Sequence, residues 1–355
     1  MGARDAPIRI VGTLPGRETK LTLARAGAGP FAVVALTAAD VERVFARHGL
    51  GAVRAVGRLA GGQINAAYRV NGDMVLRVRP VGKDGAAFRK ERALFERLRG
   101  QVPVPEVVAL DESGEALPGA YLICRRAPGE SLARVWLSAG ARQRAWLLGQ
   151  LAELLRALHE VDFPACGDLP GGELQPAASW RDYLAARLRR RLELVRALPG
   201  APGDLLDAVE VFQRHAAPAL AAGSARLVHR DLHFGNILAE ENRITALLDF
   251  EAAVAAPPDY ELDQLARFLR WPRLFLTEMP GVAAAAFRGV WPGLRDAYPE
   301  LFQAPQLETR LAVYALEYDL AALRDCLTGV WDRSVRQHVL GRMEAALAKK
   351  VAPPD

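Results

Sequence analysis

The sequence has few cysteines and no long hydrophobic run. Its three cysteines, Cys124, Cys166 and Cys326, are far apart and form no C-x-x-C pair. This spacing supports neither a disulfide framework nor a zinc site. The longest apolar stretch near the N-terminus, from Phe31 to Leu36, is much too short to span a bilayer, and no basic segment followed by an apolar one marks an export signal. We therefore expect a protein of the reducing cytoplasm that does not enter a membrane.

Lysine is also scarce, since it provides only 5 of the 46 basic residues. The basic residues form no stripe interleaved with aromatic residues, so we do not expect nucleic acid as a partner. Residues 1–224 hold 31 Lys/Arg against 23 Asp/Glu, and residues 225–355 hold 15 against 18. A basic front half beside an acidic rear half would suit a protein that binds anionic phosphates together with a cationic or polar acceptor. An arginine-rich composition set by a GC-rich genome explains it at least as well.

The length of 355 residues allows two lobes that share a cleft. From residue 36 the pattern predicts a short helix capped by Thr37, then five strands with one helix inserted among them, at residues 84–99. The Asn71-Gly72 pair is a hairpin turn signal between the second and third strands. The predicted strands are Val53–Leu59, Ala66–Val70, Met74–Val78, Val107–Leu110 and Ala120–Cys124.

Beyond the turn at Pro128-Gly129 the spacing of apolar residues becomes mostly helical. The predicted helices are residues 141–160, 180–197, 203–221, 260–270, 306–326 and 332–348, with one β-island at Leu227–Val228, Ile237–Ala239 and Ile244–Phe250. The fold class is therefore α+β with two lobes. The predicted divisions are an N-terminal extension (1–35), a small lobe (36–124), a large lobe (125–350) and a tail (351–355).

The β-island carries the residues that point to chemistry. Asp231 and Asn236 lie five residues apart, and Asp249 follows at the end of an apolar strand. Phosphoryl transfer needs a carboxylate to orient the attacking hydroxyl and oxygen ligands to hold Mg²⁺ on the phosphates. The order matches the kinase pattern H-R-D-L-x-x-x-N followed by a metal-binding Asp, and H-x-D-x-x-x-x-N alone is expected by chance only roughly 0.004 times in this composition. We predict Asp231 as the catalytic base and Asn236 and Asp249 as metal ligands.

Less specific explanations exist for the polar residues of this segment. Asp231 and Asn236 could be turn residues that close a hairpin loop. His229 is expected to brace the loop rather than to act as an acid or base. His233 is expected either to pack the loop or to lie beside the substrate or a phosphate.

The segment resembles the catalytic segment of the aminoglycoside phosphotransferase and choline kinase superfamily, the protein-kinase-like small-molecule kinases, and the match extends over about residues 37–345. The resemblance implies a small lobe built on a five-stranded antiparallel sheet with one helix, and a mainly helical large lobe. The stretch with Gly61, Gly62 and Asn65 is similar to the family's hairpin over the phosphates, where glycine lets the backbone approach them. The family often has Ser or Thr where this chain has Ile64.

The same resemblance implies further nucleotide-binding residues. Arg77 stands where a strand-borne lysine grips the phosphates, and Glu91 stands where a helix glutamate pairs with that cation; the alternative for Arg77 is an exposed charge. Ile123 and Cys124 stand in the hinge whose backbone meets the adenine. Asp263 stands near the position at which the family has an Asp that braces the catalytic region. It could equally belong to a solvated helix start.

We therefore predict a kinase that moves the γ-phosphoryl group of ATP, or GTP, onto a hydroxyl of a small molecule with Mg²⁺, such as an aminoglycoside-like antibiotic or an amino alcohol. Glu317, Asp319 and Asp325 on the acidic C-terminal helices are candidates for the acceptor site. A protein Ser/Thr kinase is an alternative. It is disfavoured because Glu251 replaces the glycine of D-F-G and because too few residues follow for an activation segment. A non-catalytic pseudokinase that binds nucleotide is a third possibility.

Overall fold

A computed structural model of the chain describes residues 9–10, 36–59, 65–80, 82–221, 223–331 and 334–351. Most of the predicted extension, residues 1–35, and the tail after residue 351 lie outside the described residues. So do Gly61, Gly62 and Ile64 of the predicted phosphate hairpin.

The small lobe is a sheet of five antiparallel strands, to whose edge a two-residue segment adds in parallel. The order across the sheet is β1-β2-β3-β4-β6-β5. Its strands are β1 (Arg9–Ile10), β2 (Ala55–Arg58), β3 (Ala66–Val70), β4 (Met74–Val78), β5 (Val107–Asp111) and β6 (Tyr121–Arg125), and its helices are α1 (Ala38–Arg47) and α2 (Ala86–Leu98).

Successive side chains of β4 alternate between the two faces of the sheet, and this alternation decides where its charged residue points. Met74, Leu76 and Val78 are buried on one face, so the intervening Arg77 points to the other face. Helix α2 buries the charged residue Glu91 among the apolar residues of one face, which are Phe88, Leu94, Phe95 and Leu98. The capping box at Thr37 predicted for α1 is present, with reciprocal hydrogen bonds between Thr37 and the residue three positions on.

The large lobe is mainly helical, and its long helices begin and end within a few residues of the predicted bounds. Two short helices, α3 and α8, have no counterpart in the prediction because seven or eight residues show too little periodicity. The helices are α3 (Leu132–Ser138), α4 (Ala141–Glu160), α5 (Trp180–Arg196), α6 (Gly203–Ala216), α7 (Glu261–Arg270), α8 (Val290–Ala297), α9 (Leu307–Leu327) and α10 (Ser334–Leu347).

The predicted β-island consists of two separate small sheets. One has the order β12-β11-β7 and the other the order β10-β13-β8-β9. Together they frame the segment that contains Asp231 and Asn236 and connects β10 to β11. The strands are β7 (Glu130–Ser131), β8 (Gly167–Asp168), β9 (Gln175–Pro176), β10 (Arg226–Val228), β11 (Ile237–Glu240), β12 (Arg243–Leu247) and β13 (Val254–Ala256). Across the described ranges, no helix combines the length and apolarity that a membrane span requires.

Candidate active site

The loop between β10 and β11 is anchored at its start by a buried acid. The carboxylate of Glu261, the first residue of α7, accepts hydrogen bonds from the backbone N–H groups of His229 (2.7 Å) and Arg230 (3.0 Å). Burial alone would raise the pKa of Glu261, but the nearby ring of His159 (3.8 Å), the ring of His229 and the hydrogen bonds from the loop hold that pKa below its ordinary value. Arg230 has a positive φ of 66°, so the chain turns sharply just before Asp231.

Asp231 and Asn236 contact each other directly. The side-chain amide of Asn236 donates to the backbone carbonyl (3.0 Å) and to the carboxylate (2.9 Å) of Asp231. With its nitrogen committed to Asp231, Asn236 keeps its side-chain oxygen as a ligand atom, and that oxygen accepts no hydrogen bond from the described residues. Burial, together with the nearby charge of Asp249, raises the pKa of Asp231 to about 6.

Two histidines pack around this pair. His229 accepts the backbone N–H of Asp231 at Nδ1 (3.2 Å) and donates from Nε2 to the carbonyl of Leu248 (2.8 Å), so it ties the catalytic loop to the segment before Asp249. Nδ1 of His233 accepts the N–H of Gly235 (3.1 Å), and its Nε2 lies 3.8 Å from the Asp231 carboxylate. Burial lowers the pKa of His233 to about 3, so its ring is neutral there.

The segment that carries Asp249 is joined to Asn236 through the backbone. The N–H of Leu248 donates to the carbonyl of Asn236 (2.8 Å), which aligns the end of β12 with the catalytic loop. Asp249 itself adopts the left-handed conformation (φ 65°, ψ 69°), and its side chain is 41% exposed. A non-glycine residue held in this conformation is typical of functional sites. The structure thus brings Asp231, Asn236 and Asp249 together.

These three side chains fit a magnesium ion better than a softer metal. Two carboxylates and a carboxamide oxygen are hard ligands, and Mg²⁺ in kinases is held by one or two protein carboxylates together with waters and phosphates. The described part of the chain has no cluster of three or more His, Cys, Asp or Glu side chains able to enclose a metal by themselves.

Arg77 and Glu91 face this cluster from the small lobe. A guanidinium nitrogen of Arg77 lies 2.5 Å from the Glu91 carboxylate, and its other terminal nitrogen lies 3.6 Å from Asp249. The second oxygen of Glu91, which is fully buried, accepts the backbone N–H of Phe250 (3.1 Å). Glu91 therefore joins the cation on the strand to the segment that carries Asp249.

Sequence reasoning missed a second set of contacts, at Glu251. Both carboxylate oxygens of Glu251 lie 3.1 Å from a guanidinium nitrogen of Arg79, and one of them accepts the side-chain amide of Asn65. Lys90 donates to the backbone carbonyls of Glu251 (2.8 Å) and Ala253 (3.1 Å). The pattern Arg-Val-Arg at the end of β4 was the available signal, because a period of two continued one residue past the strand places Arg77 and Arg79 on one face.

The predicted placement of the hinge needs correction. Ile123 and Cys124 are buried inside β6, which is paired on one side with β4 and on the other with β5. Backbone groups inside a central strand are used by the ladder, so these two residues have none to spare for an adenine. The exposed continuation of the chain begins at Arg125.

Asp263 is fully buried and does not belong to a solvated helix start. It pairs with the side chain of Arg230 (3.3 Å), the residue before Asp231, and with Arg267 (3.3 Å), while Glu261 holds the backbone of the same loop. Of the acids predicted for the acceptor site, Glu317 and Asp319 are wholly buried in ion pairs with arginines and are not presented to a ligand. Asp325 pairs with its neighbour in the chain, Arg324.

Residues 55–297 match the model of the phosphotransferase enzyme family. The chain belongs to this family. The predicted relationship to aminoglycoside phosphotransferases is thereby confirmed, and so is the prediction that the protein is an enzyme, a phosphotransferase of the small-molecule kinase type.

The matches to individual proteins have low sequence identity or cover a small part of the chain. The chain is 26% identical over 248 residues to hygromycin-B 4-O-kinase of Escherichia coli, a match that covers 66% of this chain and 68% of that protein. It is 33% identical over 123 residues to a subtelomeric hrmA-associated cluster protein of Aspergillus fumigatus, a match over 32% of this chain. The chain spans only about a quarter (24%) of the length of that relative.

Solved phosphotransferases share the fold of this chain. Aminoglycoside phosphotransferase APH(4)-Ia, in a ternary complex with AMP-PNP and hygromycin B, superposes with a TM-score of 0.67 over 86% of this chain and 98% of its own, at 22% identity. The GDP and kanamycin complex of APH(2")-IIia gives a TM-score of 0.59 over 87% and 98% of the two chains, at 20% identity. The predicted two-lobed, protein-kinase-like α+β fold is confirmed.

Proposed function

We propose that this phosphotransferase moves the γ-phosphoryl group of a nucleoside triphosphate onto a hydroxyl of a small molecule, with Mg²⁺. The observation that carries the proposal is the meeting of Asp231, Asn236 and Asp249 opposite Arg77. A base, a carboxamide ligand, a carboxylate ligand and a permanent cation are the parts that phosphoryl transfer requires.

The roles of the residues follow from their contacts. Asp231, held by Asn236, orients the acceptor hydroxyl and takes its proton as the oxygen bonds to phosphorus. The bond from phosphorus to the bridging oxygen breaks in the same event, and the nucleoside diphosphate leaves with that oxygen. Mg²⁺ held by Asn236 and Asp249 would neutralise charge on the phosphates. Arg77, fixed by Glu91, binds phosphate oxygens with its fork of donors.

The remaining nucleotide contacts come from the small lobe and the chain that leaves it. Gly61, Gly62 and Asn65 are proposed to cover the phosphates. Because Ile123 and Cys124 are engaged in the sheet, we assign the adenine contacts to the carbonyl of Arg126 and the backbone of Ala127. The N–H of Arg126 already donates to the carbonyl of Asp73, and the carbonyl of Pro128 accepts from Thr245. We propose ATP as the donor, with GTP as the alternative to be assayed in parallel. Residues 36–124 would then form the nucleotide lobe and residues 125–350 the lobe that binds the acceptor.

The Asp231→Asn variant tests the function. We expect it to lower kcat by about 10²–10⁴-fold, because the amide cannot take the proton, while nucleotide affinity stays close to that of the wild type. The measurement is transfer of labelled γ-phosphate to a panel of hydroxyl compounds and, separately, to protein. Asp296→Asn, an exposed residue of α8, is the matched control. Near-normal turnover of Asp231→Asn, or label chiefly on protein, would refute the assignment.

A further inference from the structure

The imidazole of His233 presents a single N–H group beside Asp231, the proposed base. Its Nδ1 accepts the backbone N–H of Gly235 (3.1 Å), so that nitrogen carries no proton. The ring is therefore neutral, with its one proton on Nε2, which can only donate. Nε2 lies 3.8 Å from the Asp231 carboxylate, and this distance is too long for a hydrogen bond between the two side chains.

The ring of His233 is held in this position by its neighbours. Its centroid lies 5.1 Å from that of Phe275 and 6.1 Å from that of Phe268. Gly235 approaches it so closely that an added Cβ would lie 2.9 Å from Nδ1 and Cε1 of His233. Because packing and a hydrogen bond both fix the ring, we infer that the gap between Nε2 and Asp231 is a lasting feature of the site.

The gap is accessible to a ligand. The side chain of Asp231 is 32% exposed. Nε2 of His233 has no hydrogen-bond partner among the described residues, yet it is not enclosed by protein. Nε2 of His159 makes the contrast, since it lies at the same distance of 3.8 Å from the Glu261 carboxylate but is buried without a partner. The N–H of His233 is thus a fixed donor that a bound molecule can reach.

A pair of neighbouring ligand oxygens suits this gap. A hydrogen bond from Nε2–H to an oxygen is about 2.7–3.2 Å long, so the oxygen that His233 binds lies close to any hydroxyl that donates to Asp231. The reacting oxygen is a poor partner for the same N–H, because a donor would compete for the electron pair that attacks phosphorus. An oxygen on the adjacent carbon has no part in the attack and can accept the N–H without that conflict.

We propose, building on the phosphotransferase function above, that His233 is a second acceptor-binding residue, whose Nε2–H donates to an oxygen on the carbon next to the reacting hydroxyl. The acceptor is then a compound with neighbouring oxygens, such as a polyol or a sugar. An ammonium group on that carbon would direct its own N–H groups at a donor. Simple amino alcohols, which the sequence suggested, are therefore disfavoured, and an aminoglycoside would be phosphorylated at a hydroxyl that has an oxygen beside it.

Acceptors that differ at one carbon test the need for a neighbouring oxygen. The purified full-length protein is assayed with MgATP and MgGTP, at a pH where amines are protonated, against two sets of compounds. One is glycerol, the propanediol that lacks the central hydroxyl, and serinol; the other is vicinal cyclohexanediol, cyclohexanol and vicinal aminocyclohexanol. We expect kcat/KM to be about tenfold higher for the member with neighbouring oxygens. Equal values within a set, or a preference for the amine, would overturn the proposal.

Two variants of His233 separate binding of the acceptor from packing of the loop. His233→Asn keeps an acceptor atom near Nδ1 for the N–H of Gly235, but it has nothing that reaches the position of Nε2. His233→Gln reaches that position with an amide N–H and loses the acceptor near Nδ1. We expect kcat/KM for glycerol to fall by about tenfold in His233→Asn and by about threefold or less in His233→Gln. A role in packing alone predicts the opposite order, which would refute the assignment.

Hydrolysis of the triphosphate by water, with no acceptor present, gives a further comparison. Water offers no neighbouring oxygen, so His233→Asn should lose about fivefold more of its transfer to glycerol than of its hydrolysis. Equal losses would mean that the N–H acts on the phosphate instead. His215→Asn, at an exposed histidine of α6, is the matched control. Failure of the phosphotransferase function itself would look different, since the wild type would then label no hydroxyl compound at all.

Discussion

At the scale of single residues, the catalytic loop depends on an acid that contributes no chemistry. Glu261 is fully buried, and its two oxygens satisfy the N–H groups of His229 and Arg230 at a sharp turn. The motif residues Asp231, Asn236 and Asp249 could be proposed from spacing, because phosphoryl transfer restricts the identity and order of the residues that it needs. Glu261 could not be separated from Asp259 and Asp263, because which of three acids at a helix start reaches the loop is decided by tertiary packing.

Glu261→Gln tests this positioning role. The glutamine amide presents one acceptor and one donor group, so one of the two loop N–H groups loses its partner. We expect the free energy of unfolding to fall by about 1–3 kcal/mol and kcat to fall by about tenfold, with KM for the nucleotide nearly unchanged. Denaturant unfolding and steady-state kinetics measure both effects. Glu308→Gln, an exposed residue of α9, is the control; a stability loss with normal kcat would mean that Glu261 does not position the loop.

At the scale of secondary-structure elements, the spacing of apolar residues predicted the long, regular helices. Helix α4 spans the predicted residues, 141–160, because its apolar stripe is continuous over five turns. The pairing of β10 with β13 rather than with β11 or β12 was beyond prediction, because strands of three to five residues carry no signal for their partner. The hinge was predicted too early in the chain for the same reason. Strand β6 is central because it pairs with both β4 and β5, and its own sequence does not show those partners.

Two glycines with opposite surroundings give a prediction at this scale. Gly129 has a φ of +91°, and a Cβ added there would lie 2.3 Å from the carbonyl oxygen of Ala239 on β11. Gly149 lies inside α4, and a Cβ there would meet nothing within 4 Å. We expect Gly129→Ala to lower the free energy of unfolding by about 2 kcal/mol or more and Gly149→Ala to raise it by about 0.5–1 kcal/mol. Calorimetry of both variants checks the pair; equal effects would contradict the close approach of β7 to β11.

At the scale of the whole molecule, the segment that follows Asp249 belongs to the large lobe in sequence but is held by the small lobe. Arg77 on β4 lies 3.6 Å from Asp249, and Arg79, which directly follows β4, lies 3.1 Å from Glu251. From α2, Glu91 accepts the N–H of Phe250. Asp249, the proposed metal ligand, is thereby positioned by both lobes, and we expect nucleotide binding and the contact between lobes to depend on each other.

Lys90 is the residue of α2 whose replacement tests that dependence. Its ammonium group donates to the carbonyls of Glu251 and Ala253, more than 160 residues away in the chain. Lys90→Met keeps the aliphatic stem and removes both hydrogen bonds. We expect the free energy of unfolding to fall by about 1–3 kcal/mol, the usual cost of unsatisfied buried groups. The Kd for MgATP should rise by about tenfold, because residues 249–253 are then less firmly fixed.

The control for Lys90→Met is on the same helix. Arg92 is half exposed, and among the described residues its ion-pair partner is Glu96, four residues on. Arg92→Met should therefore change stability by no more than about 0.5 kcal/mol and leave nucleotide affinity unchanged. Thermal unfolding with and without MgATP measures both quantities, because a ligand that binds only the folded state stabilises it according to its affinity. If Lys90→Met loses stability but is stabilised by MgATP as much as Arg92→Met is, the lobes are coupled for folding and not for binding. Asp249 would then be positioned by the large lobe alone.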